Sequence, residues 1–165
     1  MPKDKLNAEI AARAVSGAGG EYQRSLLTRA VELLEARQFA NAAALFEGAL
    51  AVSPTLWVRN CLAFCLIPVE TSSAAQMLNE LLDEGFDPPL VRANLAAASR
   101  LSGSIEDTRD HAVAGLALLE GRSRPPAFLW RFGESEVFLA QIDLERYLRD
   151  VLSWAEGQPL GTGDQ

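Results

Sequence analysis

One histidine and two cysteines are all the chain holds of imidazole and thiolate metal ligands, and that scarcity excludes chemistry. A zinc site needs three or four Cys, His or carboxylate ligands brought together. His111 stands well away from Cys61 and Cys65, so no metal set is expected. The two cysteines lie four apart on one helix face, where a disulfide has poor geometry, and they read as small packing side chains. Basic residues are also in deficit, with 15 Lys and Arg against 22 Asp and Glu and a formal charge of −7. Only Arg122 and Arg124 stand close together, so no basic stripe forms. Nucleic acid and anionic membrane are therefore excluded as main partners. No apolar run approaches the roughly 18 residues a membrane span needs. The first residues, MPKDKLNAEIAARAV, carry charges through their apolar part and do not read as a secretory signal. Two cysteines without an export signal suit a reducing cytoplasm, which is the expected location.

What is present is a period. Ala30, Ala63 and Ala96 recur 33 residues apart, and Gly133 follows after 37. Ala42 and Ala75 keep the same step, and Thr108 continues it. Arg59-x-x-Leu62-Ala63 returns as Arg92-x-x-Leu95-Ala96, and Leu56-Trp57-Val58-Arg59 has its counterpart in Leu90-Val91-Arg92. A small residue at a fixed place in each unit is what two closely crossed helices need, because a larger side chain would push their backbones apart.

The period divides the chain into helical hairpins. Leu6, Ile10 and Ala14 predict a short amphipathic helix over Asp4–Val15, and Ser16–Gly20 (SGAGG) reads as a hinge, so residues 1–20 form an N-terminal appendage. Residues 21–156 form the repeat domain. Its first hairpin pairs Glu21–Ala36 with Phe39–Val52 across Arg37-Gln38, and Ser53-Pro54 ends it. The second pairs Thr55–Ile67 with Ser72–Glu84; Pro68 stops its first helix, Thr71 or Ser72 can N-cap the next, and Gly85 closes it. The third starts at Pro88-Pro89, runs to Leu101, and continues from Ser104, with Asp107 as a capping-box partner, to Gly121. After the linker Arg122–Pro126 the pattern weakens. Phe128, Trp130 and Phe132 alternate, so residues 127–139 are either a helix or a short β-hairpin turning at Gly133-Glu134-Ser135. Asp143 can start a final capping helix bearing Leu144, Leu148, Val151, Leu152 and Trp154, and residues 157–165 read as a disordered tail.

The segment Phe39–Pro54, FANAAALFEGALAVSP, carries Ala42, Phe46, Ala49 and Pro54 at the offsets that close a tetratricopeptide hairpin. With Leu26, Ala30 and Leu33 before it, the first repeat resembles the tetratricopeptide-repeat family, departing at Arg29 where the family prefers leucine. The second and third repeats keep Leu62-Ala63 and Leu95-Ala96 but are degenerate in their second helices. A 33-residue period also suits ankyrin repeats, yet no Thr-Pro-Leu-His-like turn occurs. The resemblance implies an all-α fold: a right-handed superhelix of three to four antiparallel helical hairpins, with an N-terminal helix and a C-terminal capping helix. The layout is also similar to small tetratricopeptide-class secretion chaperones, which often self-associate through the N-terminal helix.

In that family the first helices of successive repeats line a concave groove. Mapped onto this chain, the groove takes Leu27, Val31 and Leu34, then Trp57, Asn60, Phe64 and Ile67, then Leu90, Ala93, Ala97 and Arg100. The set is mostly apolar and suits an apolar peptide or helix of another protein. Trp57 and Phe64 can equally be core, since aromatics at helical spacing usually pack inward. The expected function is thus a protein-binding adaptor or chaperone, without cofactor, metal or catalytic residues. The alternative is a constitutive regulatory or structural subunit of a larger assembly. An enzyme using His111 or the Cys61/Cys65 pair is the third reading; His111 has no nucleophile matched to it by any recognised signature. Glu134 and Glu136 are ordinary surface carboxylates. SGAGG and LGTG lack the Lys-Ser/Thr and the preceding strand of a phosphate loop.

Overall fold

A computed structural model describes residues 19–52, 54–122 and 124–158, with side chains from Ser25 onward. The expected helix over Asp4–Val15, self-association through it, and the tail from residue 159 lie outside the described residues. Seven helices and one two-stranded antiparallel sheet make up the described chain. It divides into two units, Met1–Met77 and Leu78–Gln165, the division falling inside the fourth helix.

In the first unit α1 (Gly19–Glu35) begins two residues before the expected Glu21, taking in the last two hinge glycines. It ends on an αL closure: Arg37 has φ 59°, its N–H reaches the Leu34 carbonyl, and the Gln38 N–H reaches Leu33. This is the paired C-terminal closure usually built on glycine. α2 (Phe39–Val52) is the central helix, packed on α1 and on α3 (Leu56–Leu66). Its alanines Ala42, Ala43, Ala44 and Ala49 are buried with Phe46, so little side-chain bulk separates its backbone from its neighbours. Thr55 caps α3 by accepting from the Val58 N–H at 3.2 Å. α4 (Thr71–Asp83) differs from expectation at its start. Thr71 lies inside the helix, its hydroxyl donating to the Ile67 carbonyl at 2.7 Å, and Glu70 supplies the first helical acceptor, to Ala74.

In the second unit Gly85 (φ 83°) closes α4 by the same double bond, its N–H to Leu82 and that of Phe86 to Leu81. Pro88 and Pro89 then start α5 (Pro89–Leu101) with no donors wasted. Gly103 closes that helix, and Ser104 caps α6 (Ile105–Leu119) through the Asp107 N–H at 3.3 Å. β1 (Ala127–Phe132) and β2 (Val137–Ile142) pair in register from Ala127 opposite Ile142 to Phe132 opposite Val137. The hairpin alternative is therefore the observed one, its loop closed by the Gly133 N–H on the Glu136 carbonyl at 2.8 Å. The fold is mainly helical, with this sheet where a fourth helical hairpin would have begun. Asp143 caps α7 (Leu144–Glu156), accepting from the Arg146 N–H at 2.9 Å.

The core of the second unit joins α5, α6, the hairpin and α7: Ala93, Ala96, Ala112, Leu129, Tyr147 and Leu148 are among its buried members. Ala30, Ala63 and Ala96 are all completely buried, as the packing argument from the period requires, and Thr108 is buried with its hydroxyl on the Ser104 carbonyl.

Candidate functional site

The eleven groove positions separate by burial. Leu34, Asn60, Phe64 and Ile67 in the first unit, with Ala93 and Ala97 in the second, are buried and offer a partner no free surface as they stand. Leu27, Leu90 and Arg100 are half-buried. Val31 and Trp57 are exposed, at 36% and 51%. The question of groove or core thus resolves differently for the two aromatics: Phe64 is core and Trp57 is surface. They sit seven residues apart on α3, and the half-buried Cys61 lies between them on the same face.

Burial pushes the Cys61 thiol up to about 11, and the buried Cys65 thiol, with Cys61 beside it, to about 12. Both stay protonated near neutrality and are poor nucleophiles and poor metal ligands. Among the described residues no group of three or more His, Cys, Asp or Glu could hold a metal ion. No helix there is long and apolar enough to cross a membrane.

The second unit carries two polar constellations. In the first, Arg92 grips Asp87 with a bidentate fork, Nε to Oδ1 at 2.7 Å and Nη2 to Oδ2 at 2.8 Å. Its Nη1 points at His111 Nδ1, 3.1 Å away. Because a guanidinium can only donate, Nδ1 accepts and the imidazole proton sits on Nε2. Burial, then the Arg92 charge, holds His111 below the usual histidine value, against the pull of Asp107, Asp110 and Asp87. The arrangement ties the α4–α5 connection to α6.

The second constellation surrounds Arg100, near the end of α5. Its guanidinium carbon lies over two rings, 4.2 Å from the Phe132 ring centre at the end of β1 and 3.9 Å from that of Trp154 on α7. Both distances fall well inside the range of cation–π attraction. Arg100 lines a small cavity of about 70 Å³ with Arg131, Phe132, Tyr147, Asp150 and Val151. The Tyr147 hydroxyl donates to the Trp130 carbonyl at 2.7 Å and is thereby committed. Burial drives the Tyr147 phenol above its usual value, and the charges of Arg100 and Arg131 oppose that rise, so both arginines are felt at the same hydroxyl. Burial also lowers Arg100 from the ordinary guanidinium value, though it stays charged at any physiological pH. Sequence reasoning placed Arg100 in the groove set but missed Phe132, Tyr147, Asp150 and Trp154 as its neighbours. The alternation of Phe128, Trp130 and Phe132 was the available signal, since only a strand carries Phe132 to the hairpin end.

Comparison with protein-family models, with curated proteins and with solved structures finds no match to this chain.

Proposed function

We propose that this chain is a protein-binding module, an adaptor or chaperone of tetratricopeptide-like design, that takes an apolar peptide or helix of a partner protein. The observation that carries the reading is Trp57. Among the described side chains it is the one exposed aromatic, standing on the first turn of α3. Tryptophan is the residue most enriched at interface hot spots, and it loses little rotamer freedom on docking. Covering half of such a side chain, about 100 Å², is worth on the order of 2.5 kcal/mol, roughly sixtyfold in affinity before any ordering cost. Val31, exposed on α1 of the same unit, would extend the contact. The alanine ladder supports a superhelix of three helical hairpins as the scaffold, and two cysteines without an export signal suit a cytoplasmic setting. Binding rather than catalysis is proposed because the groups an enzyme would need are otherwise engaged. His111 Nδ1 accepts from Arg92, and both cysteines are held as thiols.

Photo-crosslinking tests this directly. A benzoylphenylalanine placed at position 57 in the full chain should give a discrete adduct with a partner protein in extract of the source cell. The same group at the exposed Ser73 should not. Equal labelling from both positions, or none from position 57, would remove Trp57 from any interface.

A further inference from the structure

The Arg100 guanidinium carbon lies over two aromatic rings, yet among the described residues no carboxylate, carbonyl or hydroxyl accepts from its N–H groups. Ring contacts through the charge leave the five donors of a guanidinium without acceptors. The arginines of α1, α5 and α7 that pair with acids behave differently: Arg29, Arg92 and Arg149 each hold a Glu or Asp within 3 Å. Asp150 lines the same cavity as Arg100 but forms no ion pair with it. The cavity therefore carries two arginines against one aspartate, a net single positive charge in a chain that is acidic overall.

We propose that the cavity bounded by Arg100, Arg131, Asp150 and Tyr147 is a binding site for a carboxylate, received by the Arg100 guanidinium. Three features select that group. A planar carboxylate matches the planar fork and can be gripped by two parallel N–H bonds. A volume of about 70 Å³ holds a few waters or one such terminal group, well short of the several hundred that a drug-sized molecule fills. The single net positive charge balances a monoanion, whereas the second charge of a phosphate would face Asp150. Tyr147 and Val151 form the wall and give the ligand no further donor, because the Tyr147 proton is spent on the Trp130 carbonyl. The site is built by the β-hairpin and α7 together with the end of α5. It shares no residue with the Trp57 surface, and its success or failure is independent of the protein-binding proposal.

The test uses ¹⁵N-labelled full-length chain, following the Arg100 Nε–Hε resonance at fixed ionic strength. Sodium acetate is the free carboxylate, and a capped Gly-Glu-Gly peptide, with its Gln counterpart as control, is the peptide-borne one. Acetate should give a saturable shift of the Arg100 signal, and chloride should not. Tighter binding of the Glu peptide than of acetate, with none by the Gln peptide, assigns the source to an acidic peptide; equal affinities assign it to a free carboxylate. Asp150→Asn should tighten either ligand by about threefold or more, since it removes a like charge from the cavity, and Arg131→Gln should weaken it comparably. Both positions are exposed, so these variants fold even where Arg100→Gln does not. Shifts that are linear and equal for acetate and chloride would overturn the proposal. So would affinities indifferent to both Asp150→Asn and Arg131→Gln, or inorganic phosphate binding more tightly than acetate.

Discussion

His111 looks chemically suggestive in sequence, and in the structure one of its ring nitrogens is engaged by a neighbour. It is the lone histidine of the chain, flanked by aspartates, and the structure turns it into an acceptor for Arg92. Burial and the adjacent guanidinium disfavour its charged form. An unfolded chain takes up the proton first, near the ordinary histidine value of about 6.5, while the folded chain resists until lower pH. Stability associated with His111 is therefore full above that value and is lost as pH falls from it through the lower folded value. Urea unfolding of wild type between pH 7 and pH 5 should show a steeper loss than that of His111→Gln, whose amide oxygen can still accept from Arg92. Parallel pH profiles would show that the imidazole is not held neutral. Cys61 and Cys65 follow the same logic in the opposite direction: burial raises them, and a thiol that stays protonated is a packing group.

Among the elements, α6 and α7 meet at Gly115, a buried position with no room for a side chain. A Cβ built there would lie 3.0 Å from Leu148 Cδ1 and 3.2 Å from Arg92 Cβ. Leu148 is wholly buried and Arg92 is clamped to Asp87, so neither can retreat far. Gly115→Val should cost about 1–3 kcal/mol in chemical denaturation, while Gly115→Ala should cost less because its gain in helix propensity offsets part of the crowding. A neutral valine would mean that the two helices are not closely packed at this point.

How far the elements could be read from sequence depended on whether their signal was local. The helix starts at Thr55, Ser104 and Asp143 and the stop at Gly85 rest on side-chain caps and a left-handed glycine within a few residues, and the structure bears them out. Thr71 was misread because a threonine hydroxyl can either cap a helix or bond back to a carbonyl one turn earlier, and only the preceding chain decides. The hairpin over 127–142 stayed open because a short apolar run fits both a strand and a buried helix. The Arg100 site was illegible for a plainer reason. Its arginine, its two rings and its cavity wall come from three elements distant in sequence, and no period links them.

At the scale of the whole molecule the most repetitive feature and the proposed partner surface are different residues. The ladder of Ala30, Ala63 and Ala96 is entirely buried and accounts for how helices approach, whereas nothing in it reaches solvent. Groove positions inferred from the family resemblance follow the same division, with Phe64 and Asn60 turned inward and Trp57 and Val31 left outside. The proposed partner surface is therefore a small part of that set. The measurement that bears on it most directly is Trp57→Glu, read twice on the same preparation. Helical circular dichroism and the unfolding midpoint should stay within about 1 kcal/mol of wild type, as for other exposed positions, while capture of the partner crosslinked from position 57 should be lost. Unfolding of the variant, or undiminished capture by a folded one, would contradict the claim that this tryptophan is a docking surface rather than part of the core.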